Sequence, residues 1–194
     1  MIPLPDKKYQ IIYADPPWKY WAGGKKNAAR HYECQDIEWI YNLPVSSISS
    51  ENCALFLWST FPCLPQCIET LNRWGFRYAT NAFVWVKRNR VSNSWFFGCG
   101  NYTRANAEIC ILGVKGKIKR MSRCVSSVLD DRIMGHSKKP DGARSRIVEL
   151  MGDLPRIELF ARQQTPGWDC WGNEVESSGA NVTPYNANVA PELF

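Results

Sequence analysis

The chain has 194 residues, enough for one domain with a buried core. Apolar residues make up 45% and charged residues 22%, ordinary globular usage that needs neither disulfides nor a structural metal. Lysine and arginine outnumber aspartate and glutamate by 24 to 18, a net +6 compatible with a polyanionic partner, and no apolar run reaches the length of a membrane span.

The start, Met1 to Gln10, has no apolar signal-peptide core, so a cytoplasmic protein is expected. None of the eight cysteines forms a CxxC pair, and the histidines are only His31 and His136. That spacing argues against a zinc site, and a reducing compartment argues against a disulfide framework.

Tyr9–Ala14 is a short β-rich run that must stop at Asp15-Pro-Pro, because proline lacks an N–H and restricts the residue before it. Asp36 to Leu43 predicts a short helix. Cys53–Trp58 is continuously apolar, as a strand covered on both faces would be. Leu64, Cys67, Ile68, Leu71 and Trp74 recur at helical spacing, and Gly75 supplies a stop. Strands follow at Phe83–Val86, Ala107–Val114 and Ser126–Leu129. Asp141 to Met151 predicts a helix with Asp141 as N-cap and Gly152 as its end, and Arg156–Ala161 predicts the last strand. Strands alternating with helices imply an α/β sheet covered on both faces. Outside this scaffold lie Asp15–Gln35, the aromatic and basic stretch Lys87–Arg104, and Glu176–Phe194, whose composition predicts a mobile tail.

The chemistry concentrates in Ile11–Trp18. A buried strand delivers Asp15 to its carboxyl end, where open α/β sheets bind ligands. Pro16 and Pro17 stiffen the turn and contribute no backbone donors, so their carbonyls and the Asp15 carboxylate form an acceptor-only cluster. An exocyclic amine with two N–H donors suits such a cluster, and Trp18 suits the base that carries it.

Asp-Pro-Pro-Trp at 15–18 resembles the catalytic motif of adenine-N6 methyltransferases, and the chain from Tyr9 to Glu174 resembles the MT-A70 family. Six further stretches carry the likeness: Trp85–Lys87, Gly100 through Arg104 to Glu108, Gly113–Gly116, His136–Pro140, Glu158–Arg162 and Gly167–Glu174. The resemblance implies a methyltransferase domain over residues 1–175. Its fold would be Rossmann-like and dependent on S-adenosylmethionine. The sheet would be mostly parallel with helices on both faces, and the catalytic motif would precede the main cofactor-binding stretch. It implies that Asp15 and the Pro16 carbonyl accept from the target N6, with Pro17 in the same rigid turn. Trp18 would stack on or wall in the adenine, and Tyr32 would line the acceptor side. Lys139 would lie near the cofactor carboxylate, with Lys138 as the alternative contact. Glu158, Phe160 and Arg162 would serve the ribose and adenosyl side, and Asn173 and Glu174 the cofactor's adenine edge. Larger members carry an acidic cofactor contact upstream of the catalytic strand; with eight residues before Tyr9, that contact is expected to be missing or replaced.

Each of these positions also has a plainer reading. Phe160 lies in an apolar strand and fits a core as well as a cofactor contact. Glu108 is an acid in a strand pattern, with Arg104 as the expected partner. The two histidines read as loop hydrogen-bonders, because direct methylation of an amine needs no strong base. Five cations fall at Lys115, Lys117, Lys119, Arg120 and Arg123. With Lys87, Arg88, Arg90, Lys19, Lys25, Lys26 and Arg30 they are expected to form a phosphate-tracking rim around the site. Lys87, Arg88, Arg104 and Glu108 are thus candidate substrate contacts, and the loops around Trp95–Tyr102 and Trp21–Tyr32 candidates for holding the strand.

The leading expectation is a DNA adenine-N6 methyltransferase, because the chain lacks the long regions of larger relatives that act on RNA. An RNA adenine-N6 methyltransferase is the nearest alternative. A non-catalytic nucleic-acid-binding subunit is the other, although such subunits lose the acid or aromatic of the motif, and both are present. A homodimer and a monomer fit the sequence equally.

Overall fold

A computed structural model of the chain describes residues 3–19, 36–100, 102–135 and 138–177. Tyr32, His31, His136, the segment Trp21–Tyr32 and the expected tail from 178 onward lie outside the described residues. The strands are β1 Tyr9–Ala14, β2 Ser49–Ser59, β3 Arg77–Arg88, β4 Ala107–Lys115, β5 Val128–Arg132, β6 Arg156–Leu159 and β7 Asp169–Trp171. The helices are α1 Ile37–Tyr41, α2 Leu64–Arg73 and α3 Gly142–Met151.

The strands form one sheet in the order β5-β3-β4-β2-β1-β6-β7. Among these described strands only β4 runs against the others; it is antiparallel to β2 and β3, and the other strand pairings are parallel. The carboxyl ends of β1, β2, β3, β5, β6 and β7 therefore share one edge with the amino end of β4. From β1 the chain continues to β2 on one side, whereas β6 continues to β7 on the other. The crevice between β1 and β6 is thus a topological switch point, the place where open α/β sheets bind ligands. The expected catalytic motif follows β1, the first strand, and the expected cofactor stretch closes β6, near the end of the chain, which is the permuted order.

Successive side chains point to opposite faces, and each face has its own core. Ile12, Ala14, Leu55 and Leu57 face α1 and α2, packing with Ile40, Cys67 and Leu71. Ile11, Tyr13, Phe56 and Trp58 face α3, packing with Ala143, Ile147 and Met151. Burial leaves the interior thiols inert; Cys53 and Cys67 are both pushed up to about 12 by desolvation. No described helix is long and apolar enough to cross a membrane.

The differences from the expected elements have physical causes. The first half of β3, from Arg77 to Asn81, pairs only with β4, because β5 joins at Val84. That half is a largely exposed edge, so it carries polar residues and no apolar run marks it. β5 is the outermost strand and buries only Leu129, so its register is shifted to Val128–Arg132. β6 ends at Leu159 rather than Ala161, because Phe160 takes a φ of 61°. β7 has three residues, too few for a periodic signal. Asp141 precedes α3 but makes no cap bond; its carboxylate accepts instead from Lys138 and Arg144.

Gly113 on β4 lies under α2. A Cβ there would sit 2.7 Å from Leu71 Cδ1, 2.9 Å from its Cγ and 3.1 Å from the Phe76 Cβ. Gly113→Ala is therefore expected to cost about 1–3 kcal/mol by overpacking. In a Leu71→Ala background the same change should cost markedly less, because the two closest contacts are gone and the one to Phe76 remains. Urea denaturation of the four proteins measures both values.

Candidate active site

Asp15 follows β1 directly, so the strand's burial fixes its backbone at the carboxyl edge. The Trp18 N–H donates to the Pro16 carbonyl at 2.8 Å, a tight turn that leaves that oxygen a second lone pair. The Trp18 indole Nε1 donates to the Trp58 carbonyl at 2.8 Å, and the ring packs in the core on the α1 side. The ring also lines a cavity of about 300 Å³ with Lys19, Asp36, Ile37, Cys63 and Gln66. Trp58 in turn donates from its Nε1 to the Tyr13 hydroxyl at 2.7 Å. The motif thus stands on a floor of hydrogen-bonded aromatic residues.

Four charged side chains alternate in sign along this edge. Lys139, at the approach to α3, donates to Asp15 Oδ2 at 2.7 Å and reaches Glu108 Oε2 at 3.2 Å. Lys87, near the end of β3, donates to Glu108 Oε1 at 2.5 Å. The side chains of Lys139 and Glu108 are 8% and 13% exposed, and that of Asp15 is 26% exposed. Burial raises the Asp15 carboxyl above its ordinary range although Lys139 pulls it down. Burial also acts to raise Glu108, but Lys139 and Lys87 outweigh it and hold that carboxyl low. Burial opposes the charge on Lys139, and the two carboxylates outweigh it, so the ammonium persists above its usual range. Glu108 thus pairs with Lys87 and Lys139, not with Arg104, which is exposed on the loop before β4. The β3–β4 register, with Trp85 opposite Glu108, places Lys87 close to that carboxylate.

Beneath this network lies a second pair. Glu158 on β6 holds both oxygens against Arg144 of α3, each at 2.7 Å, and both side chains are buried. Arg144 also lies over the Tyr13 ring at 5.6 Å. This fork ties α3, and so the Lys139 approach, to the strand that leads into Phe160. Sequence reasoning did not single out Arg144; its signal was an arginine at the start of an apolar helix, facing an acid in an apolar strand.

The ends of β6 and β7 bring together the rest of the expected cofactor residues. Phe160 meets Trp171 edge-on at 5.5 Å and Trp39 at 6.2 Å, and its positive φ is a strained state that surrounding packing must hold. Arg162 and Glu174 approach to 3.6 Å at the surface, beside the exposed Asn173. Gly172 lets the two strand ends touch; a Cβ there would lie 2.2 Å from the Ala161 carbonyl oxygen. The Ala161 N–H donates to the Trp171 carbonyl at 3.0 Å across the same contact.

The structure does not place all the expected substrate cations in one rim. Arg88 is committed to Asp130 through two 2.7 Å bonds and lies 3.7 Å over the Trp95 ring. The basic run from Lys115 starts at the far end of β4, because Lys115 pairs with Cys53 whereas Ile109 pairs with Ser59. Glu108 and Lys115 are seven strand steps apart, about 24 Å at the usual rise. The run therefore lies at the opposite edge from Asp15, a correction to the expected rim; Lys25, Lys26 and Arg30 lie outside the described residues.

Lys139→Met leaves Asp15 desolvated without its neighbouring ammonium. At neutral pH the loss is expected to be about 2–4 kcal/mol, just under the usual figure for a broken buried pair because Asp15 is partly exposed. The variant's Asp15 and Glu108 carboxyls take up protons more readily in the folded state than in the wild type. The deficit should therefore shrink as pH falls from 7 toward 5, measured by urea unfolding at each pH. Gly172→Ala should separate the Arg162 and Asn173 loops and cost about 1–3 kcal/mol in urea unfolding, since the intruding atom meets backbone that cannot rotate away.

A family model described as MT-A70 matches residues 9–174. A "Type II methyltransferase M.MunI" from Mycoplasma sp is 37% identical over 92% of this chain and 83% of its own. An "N(6)-adenosine-methyltransferase MT-A70-like" from Arabidopsis thaliana is 25% identical over 86% of this chain, which spans only 24% of that protein. An "N(6)-adenine-specific methyltransferase METTL4" from Mus musculus is 26% identical over 87% of this chain and 38% of its own length. The matched span runs from the first residue of β1 past the end of β7, enclosing the whole sheet and every described residue of the charge network, and the chain belongs to the MT-A70 family of methyltransferases.

Proposed function

We propose that the protein methylates the N6 amine of adenine in DNA, with S-adenosylmethionine as methyl donor. The observation that carries this reading is the Asp15 carboxylate, held by Lys139 at the switch point and followed at once by the Pro16 carbonyl in the turn that Trp18 closes. The N(6)-adenine and N(6)-adenosine methyltransferases among the relatives support adenine as the target. DNA is favoured over RNA because the type II methyltransferase is matched along most of its length and the adenosine methyltransferase along about a quarter.

The residues at the ends of β6 and β7 fit such a donor. Arg162, Glu174 and Asn173 offer charged and polar groups at an exposed edge, and Phe160 offers an aromatic wall. In this reading Arg162, Phe160, Asn173 and Glu174 bind the adenosyl part, and Lys139 lies toward the cofactor's carboxylate. Glu158 acts through its fork with Arg144, as a positioning residue beneath that site. When bound, S-adenosylmethionine supplies an electrophilic methyl group on a sulfonium.

Adenine N6 is a weak nucleophile because its lone pair is delocalised into the ring. Asp15 Oδ and the Pro16 carbonyl accept its two N–H bonds and favour a tetrahedral nitrogen with a localised lone pair. Asp15 also stabilises positive charge that develops on that nitrogen as the N–C bond forms. Lys139 holds the carboxylate in one orientation, and Glu108 and Lys87 hold Lys139, so the acceptor is set before the base arrives. The proton leaves from an ammonium-like product, so no strong base is required. In duplex DNA the target base must leave the stack to reach this site. Arg104, with the exposed Trp95, Phe97 and Tyr102, offers charge and stacking surface beside it.

Asp15→Asn preserves shape and removes the charge. Methyl transfer to DNA should fall about 10²- to 10⁴-fold with cofactor affinity changed far less. The assay uses labelled S-adenosylmethionine with single-stranded DNA, duplex DNA and RNA of matched sequence. Transfer surviving in Asp15→Asn overturns the assigned role, and label confined to RNA moves the substrate to RNA. On the acid side, wild-type activity should decline at a pH above the ordinary aspartate range, because protonation of the raised Asp15 carboxyl removes an acceptor. A pH–rate profile read against Asp15→Glu checks this.

A further inference from the structure

The cations of the carboxyl edge mostly have their own carboxylates. Lys87, Arg88, Lys138, Lys139, Arg144 and Arg162 each stand in an ion pair. The run after β4 is different. Among the described residues, none of Lys115, Lys117, Lys119, Arg120 and Arg123 has an ion-pair partner, and neither has the adjoining Arg77, which lies opposite Val114. Lys115 alone is occupied, by the Ser49 hydroxyl at 2.7 Å.

The loop that carries this charge is anchored at two points. The Lys117 N–H donates to Asn52 Oδ1 at 2.6 Å, and the Met121 N–H donates to the Leu150 carbonyl at the end of α3 at 2.7 Å. Lys117, Lys119, Arg120 and Arg123 are all exposed. An anchored loop presenting four exposed cations is an organised electropositive surface, about 24 Å along β4 from Glu108. That is more than two Debye lengths at physiological salt, so these charges cannot serve phosphates held at Asp15 through solvent. They need phosphates of their own.

We propose that this loop, between β4 and β5, is a second nucleic-acid contact that grips backbone phosphates flanking the target from the edge opposite the catalytic one. The inference rests on the reading of nucleic acid as substrate, and adds a length requirement to it. A duplex must extend about 7 base pairs from the target to span 24 Å, at 3.4 Å per pair. An anionic membrane is the poorer partner, because within 115–123 Met121 is the sole large apolar side chain among the exposed ones, and a lone methionine is a weak anchor.

The test combines Lys117→Gln, Lys119→Gln, Arg120→Gln and Arg123→Gln in the full chain. Binding is followed by fluorescence anisotropy over a range of salt, with a hairpin-closed duplex of about 6 base pairs and one of about 24, bracketing the predicted span. The wild type should bind the long duplex at least about tenfold tighter than the short one. The variant should lose that advantage while binding the short duplex within about twofold, and its salt slope on the long duplex should drop by about 3 to 4. Replacing Lys117 and Lys119 by arginine should keep the wild-type slope, which separates charge from folding. Equal slopes for wild type and the glutamine variant on the long duplex overturn the proposal, even with methyl transfer intact. So does equal affinity of the wild type for phosphatidylserine vesicles and the long duplex. If length-dependent binding holds but no oligonucleotide is methylated, the surface stands and the catalytic reading fails.

Discussion

Lys139 sits between two carboxylates that burial alone would neutralise, and the site depends on that contact. Its ammonium lies 2.7 Å from Asp15 and 3.2 Å from Glu108, and Lys87 closes the series. In water such pairs contribute little; here three of the four side chains are largely removed from solvent, so each charge depends on its neighbours. Removing one member leaves its partner uncompensated. The arrangement resists rearrangement, and a fixed acceptor is what a weak amine nucleophile requires.

The sheet makes that contact possible. Asp15, Lys87, Glu108 and Lys139 come from β1, β3, β4 and the approach to α3, far apart in sequence. They meet because β4 alone is reversed, which brings its amino end to the carboxyl ends of its neighbours. An acid at the start of the reversed strand is thereby placed among residues at the ends of parallel ones. The Arg144–Glu158 fork then links α3 to β6, so that the approach carrying Lys139 is tied to the strand that leads into Phe160.

Much of this was legible in the sequence. The proline pair fixed where β1 ends, so Asp15 at a strand's carboxyl end followed from backbone chemistry alone. The buried strand β2 and the helix α2 followed from a continuous apolar run and from helical spacing. What was not legible depended on register. Glu108 looked like a partner for Arg104, four residues away, but side chains meet across strands, and Trp85 opposite Glu108 brings Lys87 to it. The basic run looked like part of the site because the charge signs agreed. Only the strand direction shows that it lies at the other end of β4. Edge strands were the weakest signals, since a strand half-exposed to solvent need not be apolar.

The claim at the centre of this account is that the carbon–nitrogen bond forms at the amine held by Asp15. The most direct measurement uses DNA whose adenines carry ¹⁵N at the exocyclic position and S-adenosylmethionine with a ¹³C methyl group. The product should show a one-bond ¹³C–¹⁵N coupling in its NMR spectrum. A methylated product without that coupling would place the new bond on another atom and contradict the account.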